Sequence, residues 1–250
     1  MERERGEEFR DDLRGVDAGR AVSDVRRLLP PAVLSDLTRL SPWRASCALA
    51  QTLLLAGAAF AIAWMNFDVW IVVPAVLLIG MQQHALFVLA HDAAHYRLFE
   101  SRRLNDFFGR LFGALGAIPV GSYRVIHRLH HNNLYGEVDP DIALHGGYPR
   151  GKRYLLGKLL QDIAGLNAWK NIAYFFGNPA LNAATNRAQR PLDDTSPALR
   201  TAARRDRLTV ALFHFVVPAG LLALAGPIVL GKYLVLWIVP LLTVFSLVVE

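Results

Sequence analysis

A chain of 250 residues that is 53% hydrophobic and only 19% charged, with a mean hydropathy of +0.27 and a net charge of +6, departs from a soluble domain, where about a quarter of residues are charged. Its single cysteine, Cys47, excludes an intrachain disulfide framework and any Cys-based zinc site. The positive charge forms no compact arm interleaved with exposed aromatics, which argues against nucleic acid as a partner and for anionic lipid headgroups.

In chain order, residues 1 to about 29 are mixed in charge and lack an apolar core, so they read as a surface helix and not as a cleavable signal peptide. Pro30 and Pro31 break it. Residues 32–44 carry apolar residues at roughly helical spacing, with Trp43 just before a long apolar run. They read as an interfacial helix. Residues 1–44 are thus expected to be a cytosolic and interfacial segment, and 45–250 a membrane domain.

Four apolar stretches approach the roughly 20 helical residues that span a bilayer core: about 45–65, 69–90, 208–225 and 228–249. Asn66, Phe67 and Asp68 form a tight turn within the first pair, and Gly226 and Pro227 punctuate the second. The expected fold is an all-α integral membrane protein of two helical hairpins, with both chain ends on one side. Nine Lys and Arg precede residue 45, seventeen lie between 96 and 207, and only Lys232 falls elsewhere. The positive-inside rule therefore places the N-terminus and the 91–207 loop in the cytosol. A bias toward Ala, Arg and Leu points to a high-GC bacterium and its plasma membrane. Within the loop, 108–122 reads as a re-entrant or interfacial segment interrupted by Pro119. Residues 153–176 read as an amphipathic cap or membrane-surface segment, and 186–206 as a polar surface connector.

Five of the eight histidines occupy two short motifs, His91 and His95 in HDAAH and His127, His130 and His131 in HRLHH. Spacings of three and four residues stack side chains on one helix face, so each motif can aim imidazoles at a shared ion. A pair at i, i+4 arises by chance often enough; five at ligand spacing beside a membrane do not. Imidazole suits iron, zinc, copper or nickel, and five donors leave room for more than one ion. Spacing alone does not choose the metal.

HDAAH, then HRLHH, then Asp139-Pro140-Asp141, together with Arg103-Leu104-Asn105-Asp106, resembles the membrane fatty acid desaturase superfamily, which includes carotenoid hydroxylases and ketolases. The resemblance implies a cytosol-facing histidine-rich helical region holding two iron ions, O2 as co-substrate, a lipid or acyl-chain substrate, and an external electron donor such as ferredoxin or cytochrome b5. An unactivated methylene has no acidity for side-chain acid–base chemistry to exploit, so a metal-bound oxidant is the fitting tool. The superfamily carries a third HxxHH motif beyond the fourth span, whereas this sequence stops at Glu250. It is therefore expected to be a C-terminally truncated fragment that is inactive alone, with a reading frame that continues into such a motif.

Other candidates are open. His84, two turns before His91, joins the site or bonds a neighbouring helix. His214 lies in the third span, where an ionisable residue is a functional candidate, and a pocket-lining role is nearly equal to it. His145, beside two glycines, reads as a loop residue. Asp92 is a candidate to orient a ligand or a solvated helix-end charge. Asp139 and Asp141 read first as a turn, and Arg124 and Arg128 as ordinary positive-inside charge. Two rival functions remain. A membrane zinc metalloprotease would use HDAAH much as HExxH is used, but leaves HRLHH unexplained. A metal carrier or sensor would need donors along a path through the bilayer, not on one side of it.

Overall fold

The computed structural model describes residues 29–134, 136, 139–141, 150–177 and 195–249. The expected N-terminal surface helix and His145 lie outside them. The described residues form helices and no strands. Helices long and apolar enough to cross a membrane occur in four places, Pro31–Met65, Val69–Ala94, Pro197–Ala225 and Pro227–Val249.

The first stretch is two helices, α1 (Pro31–Leu37) and α2 (Pro42–Met65). Each starts with proline in its first turn, where the missing N–H has no intrahelical partner to lose. Asp68 then opens α3 (Val69–Ala94) by accepting from the Trp70 N–H at 2.9 Å. Small residues on α2, Ala59 and Ala63, pack against Ala75 and Ile79 of α3 and Leu236 of the fourth span. Small side chains of this kind let membrane helices approach closely. The helix α3 runs four residues beyond the expected end at Ala90, so HDAAH rides on its last turn, with His95 as the C-cap.

The 108–122 stretch, read as re-entrant or interfacial, is a helix–turn–helix interrupted just before Val120. It is the junction of two amphipathic helices, α4 (Arg102–Leu115) and α5 (Val120–Asn132). Their turn closes with Ile118 N–H on the Gly113 carbonyl at 2.7 Å and with Ala117 at φ 58°. Phe112, Ile118 and Val120 from this junction enter the main core with Leu86, Leu89 and Phe245. Asn105 is fully buried and holds the preceding turn. Its Oδ1 accepts from the Leu98 and Phe99 N–H groups, and its Nδ2 donates to the Phe99 and Ser101 carbonyls. Two further helices follow in the loop, α6 (Lys152–Ile163) and α7 (Ala168–Phe175).

The third span begins earlier than its hydropathy indicates. Ser196 caps α8 (Pro197–Ala225), which runs unbroken for 29 residues. The described part of the expected 186–206 connector is thus mostly helix. Within it, Asp206 accepts from Arg110 Nε (3.1 Å) and the Gly121 N–H (2.9 Å), tying α8 to α4 and α5. Gly226, at φ 83°, turns the chain into the fourth span, a position that glycine adopts without strain. That span is segmented: α9 (Pro227–Tyr233), a π-helical turn (Leu234–Ile238), α10 (Val239–Leu242) and α11 (Val244–Val249). Pro240 has no N–H to offer the Leu236 carbonyl four residues back, and the ladder loosens there. Buried Gln83 of α3 takes up the neighbouring Trp237 carbonyl at 2.9 Å. Lys232, the one basic residue outside the two charge blocks, donates to the Trp64 carbonyl at the end of α2 (2.9 Å) and lies over the Trp64 and Phe67 rings. It joins the two hairpins at their far end.

A Cβ at Gly113 would stand 2.3 Å from the Ile118 carbonyl oxygen, whereas one at Gly57 meets nothing within 4 Å. Gly113→Ala is expected to destabilise the chain by about 1–3 kcal/mol, the usual range for overpacking. Gly57→Ala is expected to be neutral or slightly stabilising. Thermal melts of the two variants in detergent check both.

Candidate metal centre

Helix α3 delivers His91 and His95 and α5 delivers His127 and His131, one turn apart on each. Their ring nitrogens converge so that one donor atom from each of the four lies within 4.8 Å of all the others. The Nε2 of His127 stands 2.8 Å from Nε2 of His95 and 3.0 Å from Nε2 of His131. A ring nitrogen bears either a proton or a lone pair, so His127 Nε2 cannot donate to one neighbour while accepting from the other. A shared cation removes the conflict. At a metal–nitrogen distance of about 2.1 Å, two donors at right angles lie roughly 3 Å apart, close to what is seen here.

Electrostatics favour the same reading. Burial, reinforced by His91, His131, His95 and His130, pushes His127 down to about 3. Burial first, and then neighbouring imidazoles, also lower His95 and His131. The shifts of His95, His127 and His131 favour the neutral imidazole, the form that binds metal. These residues fit a metal ion.

His130 is not in that group of four. Its ring lies beside those of His127 and His131, with centroids 5.8 and 5.6 Å away. Its Nδ1–H donates to Asp139 at 2.9 Å and faces Asp141 at 3.2 Å. These three form a second set of potential metal donors. Asp139 is fully buried and also accepts from the Asp141 N–H, while Tyr174 of α7 donates its hydroxyl to Asp141. Both aspartates thus do more than shape a turn: they fix the orientation of His130.

The remaining candidates divide clearly. Asp92 stands 3.4 Å from His91 Nδ1, a long contact. His84 touches the Phe87 ring and is not among the four converging imidazoles. His214 donates to the Ala114 carbonyl at 2.9 Å and lines a cavity, so its pocket-lining role is the one seen. Arg124 serves the framework: it pairs with Asp106 at 2.5 Å, donates to the Ala93 carbonyl at 3.0 Å, and lies over Tyr96. HDAAH meets partners from HRLHH, so it is no self-contained protease helix. Tyr123 and Tyr174 escaped notice in the sequence. Tyr123 stacks on His127 with centroids 5.0 Å apart and planes at 14°. Burial, and then Asp141, raise both phenols, so both stay protonated. The spacing of four between Tyr123 and His127 on one helix face was an available signal.

Comparison with known proteins agrees with this geometry. Residues 68–250 match the model of the family described as Fatty acid desaturase. A dihydrorhizobitoxine desaturase of Bradyrhizobium elkanii is 31% identical over 197 residues, which cover 76% of this chain and 52% of that protein. A probable fatty acid desaturase of Sorghum bicolor is 34% identical over 52% of this chain and 33% of its own length. An sn-1 acyl-lipid omega-3 desaturase (ferredoxin) of Nostoc is 34% identical over 36% of this chain and 25% of its own. The chain thus spans about half or less of the length of these relatives. Both histidine motifs, and the helices that bring them together, fall inside the matched stretch, and the chain belongs to the fatty acid desaturase family.

Proposed function

We propose that this chain carries the membrane domain of a di-iron, O2-dependent acyl-lipid desaturase, with electrons supplied by a ferredoxin-like donor. The observation that carries the reading is the convergence of His91, His95, His127 and His131 from two helices separated in sequence. In this reading the N-terminal segment and the histidine face are cytosolic, and the membrane is a bacterial plasma membrane. The names of relatives support the substrate and the donor, since several are acyl-lipid desaturases described with ferredoxin.

His91, His95, His127 and His131 would hold iron together with His130, whose Nε2 remains for the metal once Nδ1 faces the aspartates. When bound, the two irons supply the O2-derived oxidant that an unactivated C–H bond requires. The protein's own contribution is orientation and exclusion of water. Asp139 and Asp141 fix the ring of His130 and bring negative charge to a highly cationic centre. Tyr174 fixes Asp141, and Tyr123 covers one face of His127. Phe87 and Phe175 close the cavity beside His127 with apolar surface, which keeps solvent from the reacting carbon.

The direct test expresses the open reading frame that contains this chain in membranes, with reduced ferredoxin, O2 and acyl lipid. Two irons per chain and a new double bond in the lipid are expected. One zinc per chain with peptide hydrolysis would instead establish the protease reading. The variant His127→Ala is expected to lose bound iron and at least about a hundredfold in product formation, measured by metal analysis and by mass spectrometry of the lipids. Asp139→Asn keeps the shape but removes the charge facing His130, and its iron affinity is expected to fall about 10- to 100-fold. Metal titration with the protein still folded checks this, and unchanged affinity would dismiss the orienting role.

A further inference from the structure

Residues 150–176 of the loop contain five basic residues and one acidic residue, Asp162. Helix α6 turns its sides the opposite way from a soluble surface helix, which keeps its apolar stripe against the core. Asp162, only 1% exposed, faces inward, where Lys158 Nζ (2.9 Å) and Asn167 Nδ2 (2.6 Å) donate to it. Leu156, Leu159, Leu160 and Ile163, at three- and four-residue spacing, face outward, and Leu166 and Trp169 carry the apolar surface on to the start of α7. Leu160, Leu166 and Trp169 are 59%, 64% and 63% exposed. Apolar surface of this extent marks an interaction site.

Position and charge identify what covers it. Helix α6 packs against α11, the last helix of the fourth span, and Asn171 of α7 donates to Ser246 there. A Cβ on Gly165, in the turn between α6 and α7, would stand 3.2 Å from the Leu242 carbonyl oxygen. The apolar face therefore flanks the end of a membrane-crossing helix. Lys152 and Arg153, both exposed, stand at the start of α6, whose first turn holds no acid. Cations there oppose the helix dipole, so the helix itself gains nothing from them. A second copy of this chain would bring the same sign of charge to the face, whereas an anionic leaflet complements it. Trp169 is of the residue type that settles at headgroup level.

We propose that α6 and the start of α7 lie on the anionic phospholipid surface of the leaflet nearest the histidines. The leucine face enters the boundary between headgroups and acyl chains, as amphipathic interfacial helices do, and Lys152 and Arg153 meet headgroup phosphates. This rests on the proposed membrane placement and goes beyond the desaturase reading, because the lipid bound here is not the one oxidised. Tyr174 of α7 donates to Asp141, which faces His130. The leaflet thus becomes part of what holds that histidine ring.

The test is fluorescence quenching of the full chain in liposomes of phosphatidylcholine and phosphatidylglycerol in equal amounts. Leu160→Cys, in a Cys47→Ser background, carries a bimane label, and the acyl chains of one lipid or the other are brominated. Bromine on either lipid is expected to quench the label, and on phosphatidylglycerol at least about twofold more strongly. A label at Gln161→Cys, exposed but off the leucine face, is expected to be quenched by aqueous iodide instead. Lys152→Gln with Arg153→Gln is expected to bring the two lipids level while quenching from phosphatidylcholine persists. No quenching of the label at 160 by either lipid would overturn the proposal. If quenching then returned on diluting the protein in lipid, the face would belong to a second copy. Lipids that quench equally in the parent chain, or a preference that survives the double substitution, would overturn it as well. The measurement uses neither iron nor turnover, so its failure leaves the desaturase reading standing, and loss of that reading leaves the lipid contact.

Discussion

Because His95 and His127 stand 32 positions apart in sequence yet 2.8 Å apart in space, the centre exists only if α5 is held against the end of α3. Arg124 lies at that contact, one turn before His127. Its guanidinium bonds the Ala93 carbonyl inside HDAAH, pairs with Asp106 on α4, and covers the Tyr96 ring. A planar fork of five donors suits such a three-way junction, which lysine would not bridge. Around it, Asn105 fixes the turn that leads out of α3, and Asp206 fastens α8 to the start of α5. Crowding neutral imidazoles is unfavourable in isolation, and this rigid polar frame is what makes it tolerable.

The frame also explains the division of labour between the loop helices and the spans. The spans meet through small and apolar side chains, with isolated polar ties such as Gln83 to Trp237 and Lys232 to Trp64. The converging histidines lie at one end, where α3 gives way to α4 and α5. Helix α7 links the two regions: Tyr174 reaches Asp141 beside the histidines, while Asn171 donates to Ser246 in the last helix at 2.7 Å. The orientation of His130 therefore depends on packing in the fourth span as well as on its own loop.

Much of this was legible in the residues. Hydropathy located the four spans, and the four-residue histidine spacings located the four converging donors, whereas His130, three residues after His127, faces the aspartates instead. What hydropathy could not mark was where helices begin and end when their termini are polar. The first ten residues of α8 are rich in arginine and read as a connector, although Ser196 and Pro197 are an ordinary start signal. Within 108–122 the break at Pro119 is visible in the residues, but the turn at Ala117 is not, since no alanine advertises a left-handed backbone. Asp139 and Asp141 read first as turn residues, with support of a metal ligand as the second reading, because flanking a proline is enough to explain them locally. Their contact with His130 is tertiary, and so is Tyr174's contact with Asp141. Neither has a periodicity to betray it.

One consequence concerns α8. At about 1.5 Å per residue, its 29 residues extend some 43 Å, well beyond a hydrocarbon core of about 30 Å. Asp206, on its polar portion, is a rivet between this rod and the α4–α5 junction. In the proposed membrane placement, the height of the histidines above the lipid tails is geared to how this rod sits in the bilayer. A thicker or thinner membrane, which such a rod accommodates by tilting, would change the depth at which the histidine cluster stands. Bilayer thickness would then act as a silent ruler on the chemistry, with no ligand or modification needed to transmit it.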